Sequence, residues 1–216
     1  MSAQIIAVVN QKGGAGKSTL TMLLAGSLAD RGGRVLVADS DPQNSSLRWA
    51  TAGEGFPADV EDMSGEEGKL HKQLRKRLDD YDYIVIDTPP AASAPVTASS
   101  LRLAHLALVP VIPSPPDMWA SLRIREAIEL AREKNPDLQA RIVVNQAQPN
   151  TVLAREVLAM LPEFGIPLLA AQLRQRTAYR QCAALGASLS AMGSRGGIAS
   201  MELDALRREV QFILAV

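Results

Sequence analysis

Two lysines, three glycines and two hydroxyls fall within eight residues at Lys12-Gly13-Gly14-Ala15-Gly16-Lys17-Ser18-Thr19. Glycines let successive backbone amides turn inward to form an anion nest. A helix that begins at the same point adds its dipole to that nest. Lys17 then supplies a point charge for the outer phosphates of a nucleotide, and the Ser18 hydroxyl a ligand for Mg²⁺. The bland alternative is a glycine-rich turn that binds nothing. The Gly-Lys-Ser run follows an apolar strand, which is the setting a phosphate loop requires. Gly13, Gly14, Ala15, Gly16, Lys17, Ser18 and Thr19 are therefore the candidate nucleotide-binding residues. The general loop pattern places a glycine five residues before Gly16, where this chain has Gln11, and it carries an additional lysine, Lys12.

Two carboxylate segments follow. Asp39-Ser40-Asp41-Pro42-Gln43 closes a second apolar run. Asp before Pro also starts helices, so a cap and a functional acid stand as equal readings until the phosphate loop is set beside them. Asp87 ends Ile84-Val85-Ile86-Asp87-Thr88-Pro89-Pro90. An acid closing a buried apolar strand is costly unless it is used, and holding Mg²⁺ directly or through water is such a use.

The elements that must position these groups alternate. Apolar runs at 5–9, 34–39, 83–87, 106–112 and 141–145 read as strands, with 167–169 the candidate for a sixth. Helical spacing recurs in Leu20, Leu23, Leu24 and Leu28, in Leu70, Leu74 and Leu78, in Leu122, Ala127, Ile128 and Ala131, over Val152 to Leu161, and in Leu203, Leu206, Val210, Ile213 and Leu214. The expected fold class is α/β: one P-loop domain over residues 1–216, with a mostly parallel twisted sheet and helices on both faces. Gly53 to Gly68, rich in Gly, Asp and Glu, reads as a solvated excursion.

The chain resembles the ParA/MinD superfamily of deviant Walker A ATPases, on KGGAGKS, on Asp39-Ser40-Asp41-Pro42-Gln43 and on Tyr81 to Pro90 (YDYIVIDTPP). The resemblance implies an ATPase that uses ATP and Mg²⁺ and hydrolyses slowly until a partner stimulates it. It gives Lys12 a path across a homodimer interface to the partner's ATP, and makes Lys12, Lys17 and Asp41 the catalytic set. Asp41 would orient the attacking water. Ser18, Asp41 and Asp87 would be the metal set. Asn145 would contact adenine, with a loop near Gln172 to Arg176, although Asn is also a common strand-end turn former. Pro110 to Asp117 (PVIPSPPD) resembles the dimer-contact stretch of small plasmid-encoded members; a rigid loop capped at Asp117 is compatible with that.

The chain is formally neutral, with 23 basic and 23 acidic residues, which argues against a strongly basic nucleic-acid coat protein. Yet no Asp or Glu lies between Glu163 and Glu202, a span holding Arg174, Arg176, Arg180 and Arg195. These four are candidates for non-specific DNA phosphates, against a solvated arginine face or a role in the nucleotide loop. Cys182 is the one cysteine, so paired-cysteine iron–sulfur relatives do not fit. No apolar run of 18 residues exists, and the C-terminal helix lacks the Lys/Arg-rich face of a membrane anchor. The expectation is a cytoplasmic, nucleoid-associated positioning ATPase with no N-terminal DNA-binding extension and no membrane contact. Its partner would be a ParB-like protein or cargo adaptor, its cargo a plasmid, a chromosome or an assembly such as a carboxysome. A MinD-like membrane ATPase and a dethiobiotin synthetase-like ligase are the alternatives.

Overall fold

The computed structural model describes residues 2–148, 156 and 159–215. Six strands form one sheet: β1 (Gln4–Val8), β2 (Val35–Asp39), β3 (Asp59–Asp62), β4 (Tyr83–Asp87), β5 (Leu106–Val111) and β6 (Gln139–Val144). Their order is β3-β2-β4-β1-β5-β6, and every neighbouring pair is parallel. The helices are α1 (Lys17–Ala29), α2 (Ser45–Thr51), α3 (Leu70–Leu74), α4 (Pro95–Leu101), α5 (Pro115–Arg132), α6 (Thr177–Leu185) and α7 (Gly197–Leu214). Successive strand residues point to opposite faces, and both faces are covered, which is why the central strands are unbroken apolar runs. Ile5, Ala7, Leu36, Ile84 and Ile86 pack against α3, α4 and α5. Ile6, Val8, Val35, Val37 and Val85 pack against α1, α2, α6 and α7.

Several sequence expectations need correction. The acidic excursion contains β3, which pairs with β2 from Leu36↔Asp59 to Asp39↔Asp62. It is an edge strand, so its charged residues face water and leave no apolar run to read. The sixth strand expected at 167–169 is only a bridge, Ile142↔Leu168, followed by a second at Ala147↔Arg174. Residues 167–174 shadow β6 through spaced backbone bonds, such as Leu169 N–H to Ile142 O at 2.9 Å and Leu173 N–H to Val144 O at 2.9 Å. Leu70 to Leu78 is an α-helix only to Leu74 and then tightens to a 3₁₀ turn. Helix α5 starts at Pro115 after Ser114, so Asp117 lies inside the first turn and is not the cap. The stripe expected over Val152 to Leu161 falls largely outside the described residues.

The C-terminal helix packs as expected, with Leu203, Leu206, Val210 and Ile213 buried, while Ile198, Met201 and Phe212 face outward. Among the described residues no helix is long and apolar enough to cross a membrane.

The register positions the site. Val8 and Asp39 each pair with Asp87, so β1, β2 and β4 end level with one another. The loops that follow these carboxyl ends converge where open α/β sheets hold their ligands.

Candidate nucleotide-binding site

The glycine loop runs from β1 into α1 as its mechanism requires. Gly14 (φ 79°) and Gly16 (φ 89°) lie in the left-handed region that suits glycine. Gly16 is the residue before the first turn of α1, and its carbonyl accepts the Leu20 N–H at 2.9 Å. Two asparagines frame the loop. Asn10 accepts the Lys12 N–H at 3.2 Å and donates to the Pro110 carbonyl at 2.7 Å. Asn145, 4% exposed at the end of β6, donates its Nδ2 to the Ala15 carbonyl at 2.9 Å. Gln11, where the general pattern has glycine, accepts the Ala92 N–H at 2.8 Å and so ties the loop to the segment after β4.

Lys17 is 6% exposed, and its Nζ donates to the Lys12 carbonyl at 3.3 Å. Burial lowers its pKa, while the charges of Asp87 and Asp41 raise it. A cavity of about 630 Å³ opens above the loop. Gly13, Gly14, Gly16, Lys17, Ser18 and Thr19 line it, together with Asp41, Arg48 and Trp49. A buried lysine at the floor of a glycine nest can neutralise a polyphosphate without a solvent shell in between.

The two carboxylates beside Lys17 differ in their surroundings. Asp41 is 9% exposed, lines the cavity, and accepts the Gln43 N–H on Oδ1 at 2.9 Å, which fixes the loop leading into α2. Asp87 is fully buried. Burial pushes its carboxyl up to about 7, opposed by the neighbouring Ser18 and Ser46 hydroxyls, reinforced by Asp39 and opposed again by Lys17. Its Oδ2 accepts the Ser46 hydroxyl at 2.8 Å, and its Oδ1 is buried with no hydrogen-bond partner. An orphaned buried carboxylate oxygen costs free energy that a bound cation would recover. No group of three His, Cys, Asp or Glu is gathered for a metal among the described residues. Mg²⁺ needs no such cage, because it commonly takes one or two carboxylates, substrate phosphates and water. Asp87 and Ser18 fit that role. Asp41 lines the cavity as a second acid.

Sequence reasoning passed over two groups here. Asp39 is fully buried and its carboxylate accepts the N–H groups of Ser46 and Leu47 on Oδ2 and of Asp41 on Oδ1, which anchors α2 and the Asp41 loop together. Its place in the same short motif was the available signal. Trp49 lines the cavity and donates its Nε1 to the Ala187 carbonyl at 3.2 Å. The contact spans 138 residues, and nothing local in the sequence announces it.

A second cavity of about 360 Å³ shares Thr19, Trp49, Gln146 and Ala183 with the first and is completed by Asn145, Arg174, Gln175, Arg176, Tyr179 and Arg180. Its position beyond the phosphate nest suits the base end of a nucleotide. Asn145 thus borders this cavity while also anchoring the loop. Three of the four candidate DNA arginines line it. Glu202 holds two of them: it accepts Arg176 Nη2 at 2.5 Å and forms a 3.7 Å ion pair with Arg174. Arg195 lies apart, exposed, in the 3₁₀ turn before α7.

Comparison with known proteins agrees with this geometry. The family model described as the CobQ/CobB/MinD/ParA nucleotide binding domain matches residues 6–189. Maintenance of carboxysome distribution protein A from Halothiobacillus neapolitanus is 34% identical over 206 residues, covering 95% of each chain. The chromosome-partitioning ATPase Soj of Thermus thermophilus is 33% identical over 195 residues, covering 74% of this chain and 76% of Soj. The apo structure of Cyanothece McdA superimposes with a TM-score of 0.79 at 16% identity, covering 96% of this chain and 99% of that one, which is a likeness of fold.

Proposed function

The chain belongs to the CobQ/CobB/MinD/ParA nucleotide-binding family, and from that membership we propose that it is a ParA-type positioning ATPase that hydrolyses ATP slowly and distributes a protein-assembly cargo along DNA. The observation that carries this reading is that Lys17, Ser18 and Asp41 line one cavity, with the orphaned Asp87 oxygen in electrostatic reach of Lys17. The relative that spans 95% of both chains is named for carboxysome distribution, which favours an assembly over a plasmid or chromosome as cargo.

In this reading the glycine loop binds the β- and γ-phosphates of ATP through its amides, and Lys17 balances their charge. Ser18 and Asp87 hold Mg²⁺, which when bound neutralises charge developing on the phosphates. Asp41 accepts a hydrogen bond from the attacking water and orients it. Lys12 is not among the residues lining this chain's own cavity. Its place beside Gly13 in KGGAGKS is the ground on which we assign it a reach across a nucleotide-sandwiched homodimer to the partner's phosphates. The cargo-bound partner would raise the hydrolysis rate, and the protein would be cytoplasmic and nucleoid-associated.

Non-specific DNA binding completes the cycle. Arg180 and Arg195 are exposed, whereas Glu202 already offsets Arg174 and Arg176. We therefore assign the larger share of phosphate contact to Arg180 and Arg195. A dimer doubles those contacts on one surface, so DNA retention should follow ATP. The test is a gel shift on random-sequence DNA with ATP and with ADP. Retention in ATP that collapses in the Arg180→Glu, Arg195→Glu double variant is expected. Equal binding in the two nucleotides, or full binding by the double variant, would overturn the assignment.

A further inference from the structure

Ser46 sits at the second position of α2, fully buried, and touches two carboxylates at once. Its backbone N–H donates to Asp39 Oδ2 at 2.9 Å, and its hydroxyl donates to Asp87 Oδ2 at 2.8 Å. A serine hydroxyl has one proton to give, and here it goes to Asp87. The other Asp87 oxygen, Oδ1, is the one left without a partner. The backbone bond to Asp39 fixes where the hydroxyl can reach, and Asp39 also accepts the Leu47 and Asp41 amides.

We propose that Ser46 is a positioning residue that sets the rotation of the Asp87 carboxylate, so that Oδ1 is the oxygen offered to Mg²⁺. The bond also ties that orientation to α2, which follows directly on the Asp41 loop. The inference rests on the reading of this cavity as an ATP and Mg²⁺ site. Carboxylates that ligate metals are held by hydrogen bonds from neighbours, and loss of such a neighbour typically weakens metal affinity about 10- to 100-fold. A hydroxyl that only filled space would alter stability and leave metal dependence untouched.

The experiment measures affinity for a non-hydrolysable ATP analogue by calorimetry, from excess chelator to saturating Mg²⁺. Wild type should bind more tightly as Mg²⁺ rises. Ser46→Ala should match wild type within about twofold in chelator, and its Mg²⁺ half-saturation point should rise roughly 10-fold or more. Ser46→Cys, with a weaker donor of similar shape, should fall between them. A folded Ser46→Ala protein with the wild-type half-saturation point overturns the proposal. If Ser46→Ala does not fold, a wild-type half-saturation point in Ser46→Cys does the same. Absence of any Mg²⁺-dependent gain in wild type would instead remove the reading of the cavity on which the proposal stands.

Discussion

Replacing Gly16 with alanine should destabilise the nucleotide-free protein by about 2–5 kcal/mol, well beyond the same change at Gly14. Both glycines have positive φ, 89° and 79°. An L-residue held in the left-handed region costs about 1–2 kcal/mol, and that term applies to both. They differ in what the new methyl group meets. At Gly14 nothing lies within 4 Å, whereas at Gly16 a Cβ would stand 2.2 Å from Asn145 Nδ2 and 3.4 Å from its Cγ. The amide must swing away and give up its bond to the Ala15 carbonyl. Leaving a buried acceptor unpaired costs about 1–3 kcal/mol. Urea unfolding of Gly14→Ala, Gly16→Ala, Asn145→Ala and the Gly16→Ala, Asn145→Ala pair tests this. In the Asn145→Ala background, Gly16→Ala should add only the backbone term of about 1–2 kcal/mol. The two sites should then show a coupling of about 1–3 kcal/mol. Equal losses at Gly14 and Gly16, or an undiminished Gly16→Ala cost once Asn145 is gone, would refute the claim that the Asn145 amide anchors the loop at the Ala15 carbonyl.

Lys12→Ala should stay folded and bind ATP, but sediment as a monomer in ATP and hydrolyse at background rate; wild-type turnover would end the cross-dimer role. Asp41→Ala should keep ATP affinity within a few-fold and lose hydrolysis by roughly 10²-fold or more, the scale of a positioned proton acceptor, with the ATP-bound dimer persisting in sedimentation. Lost affinity with an unchanged turnover number would reverse that assignment. His105 gives a pH effect distant from the cavity. Its Nδ1 accepts the Ile5 N–H at 2.9 Å, and burial holds the imidazole below its ordinary value of 6.5. A lowered histidine pKa contributes stability that is present above 6.5 and lost as pH falls through the lowered value. Melting temperatures should therefore drop as pH falls from 6.5 to the lowered value, and more shallowly in His105→Ala; identical slopes would exclude His105 as the cause.

The parts of the site that belong to one short segment were legible in the sequence. KGGAGKS, Asp41 and Asp87 are each marked by adjacent residues, and apolar runs marked all the central strands. What escaped was set by distance or exposure. Strand β3 has Val60 as its one apolar residue, because an edge facing water gains nothing from an apolar run. The acid-free arginine span left DNA phosphates, a solvated face and the nucleotide loop all open as readings. Its own boundary residue, Glu202 on α7, folds back on it and accepts from Arg174 N–H, Arg176 and Tyr179. The tie from Ser46 to Asp87 joins residues 41 positions apart, and a pair of serines at a helix start gives no sign of it. Sequence spacing fixes which groups share a segment; the parallel register of β1, β2 and β4 decides which segments share a cavity.

Calorimetric titration of ATP with Mg²⁺ into wild type and Lys17→Ala tests the account most directly. Lys17 is the buried cation at the floor of the glycine nest, with Asp41 and Asp87 in electrostatic reach. Saturable one-to-one binding by wild type, and none detectable in a Lys17→Ala protein that keeps its circular dichroism spectrum, is the predicted result. Wild-type affinity in that folded variant would contradict the assignment of the cavity as the ATP site.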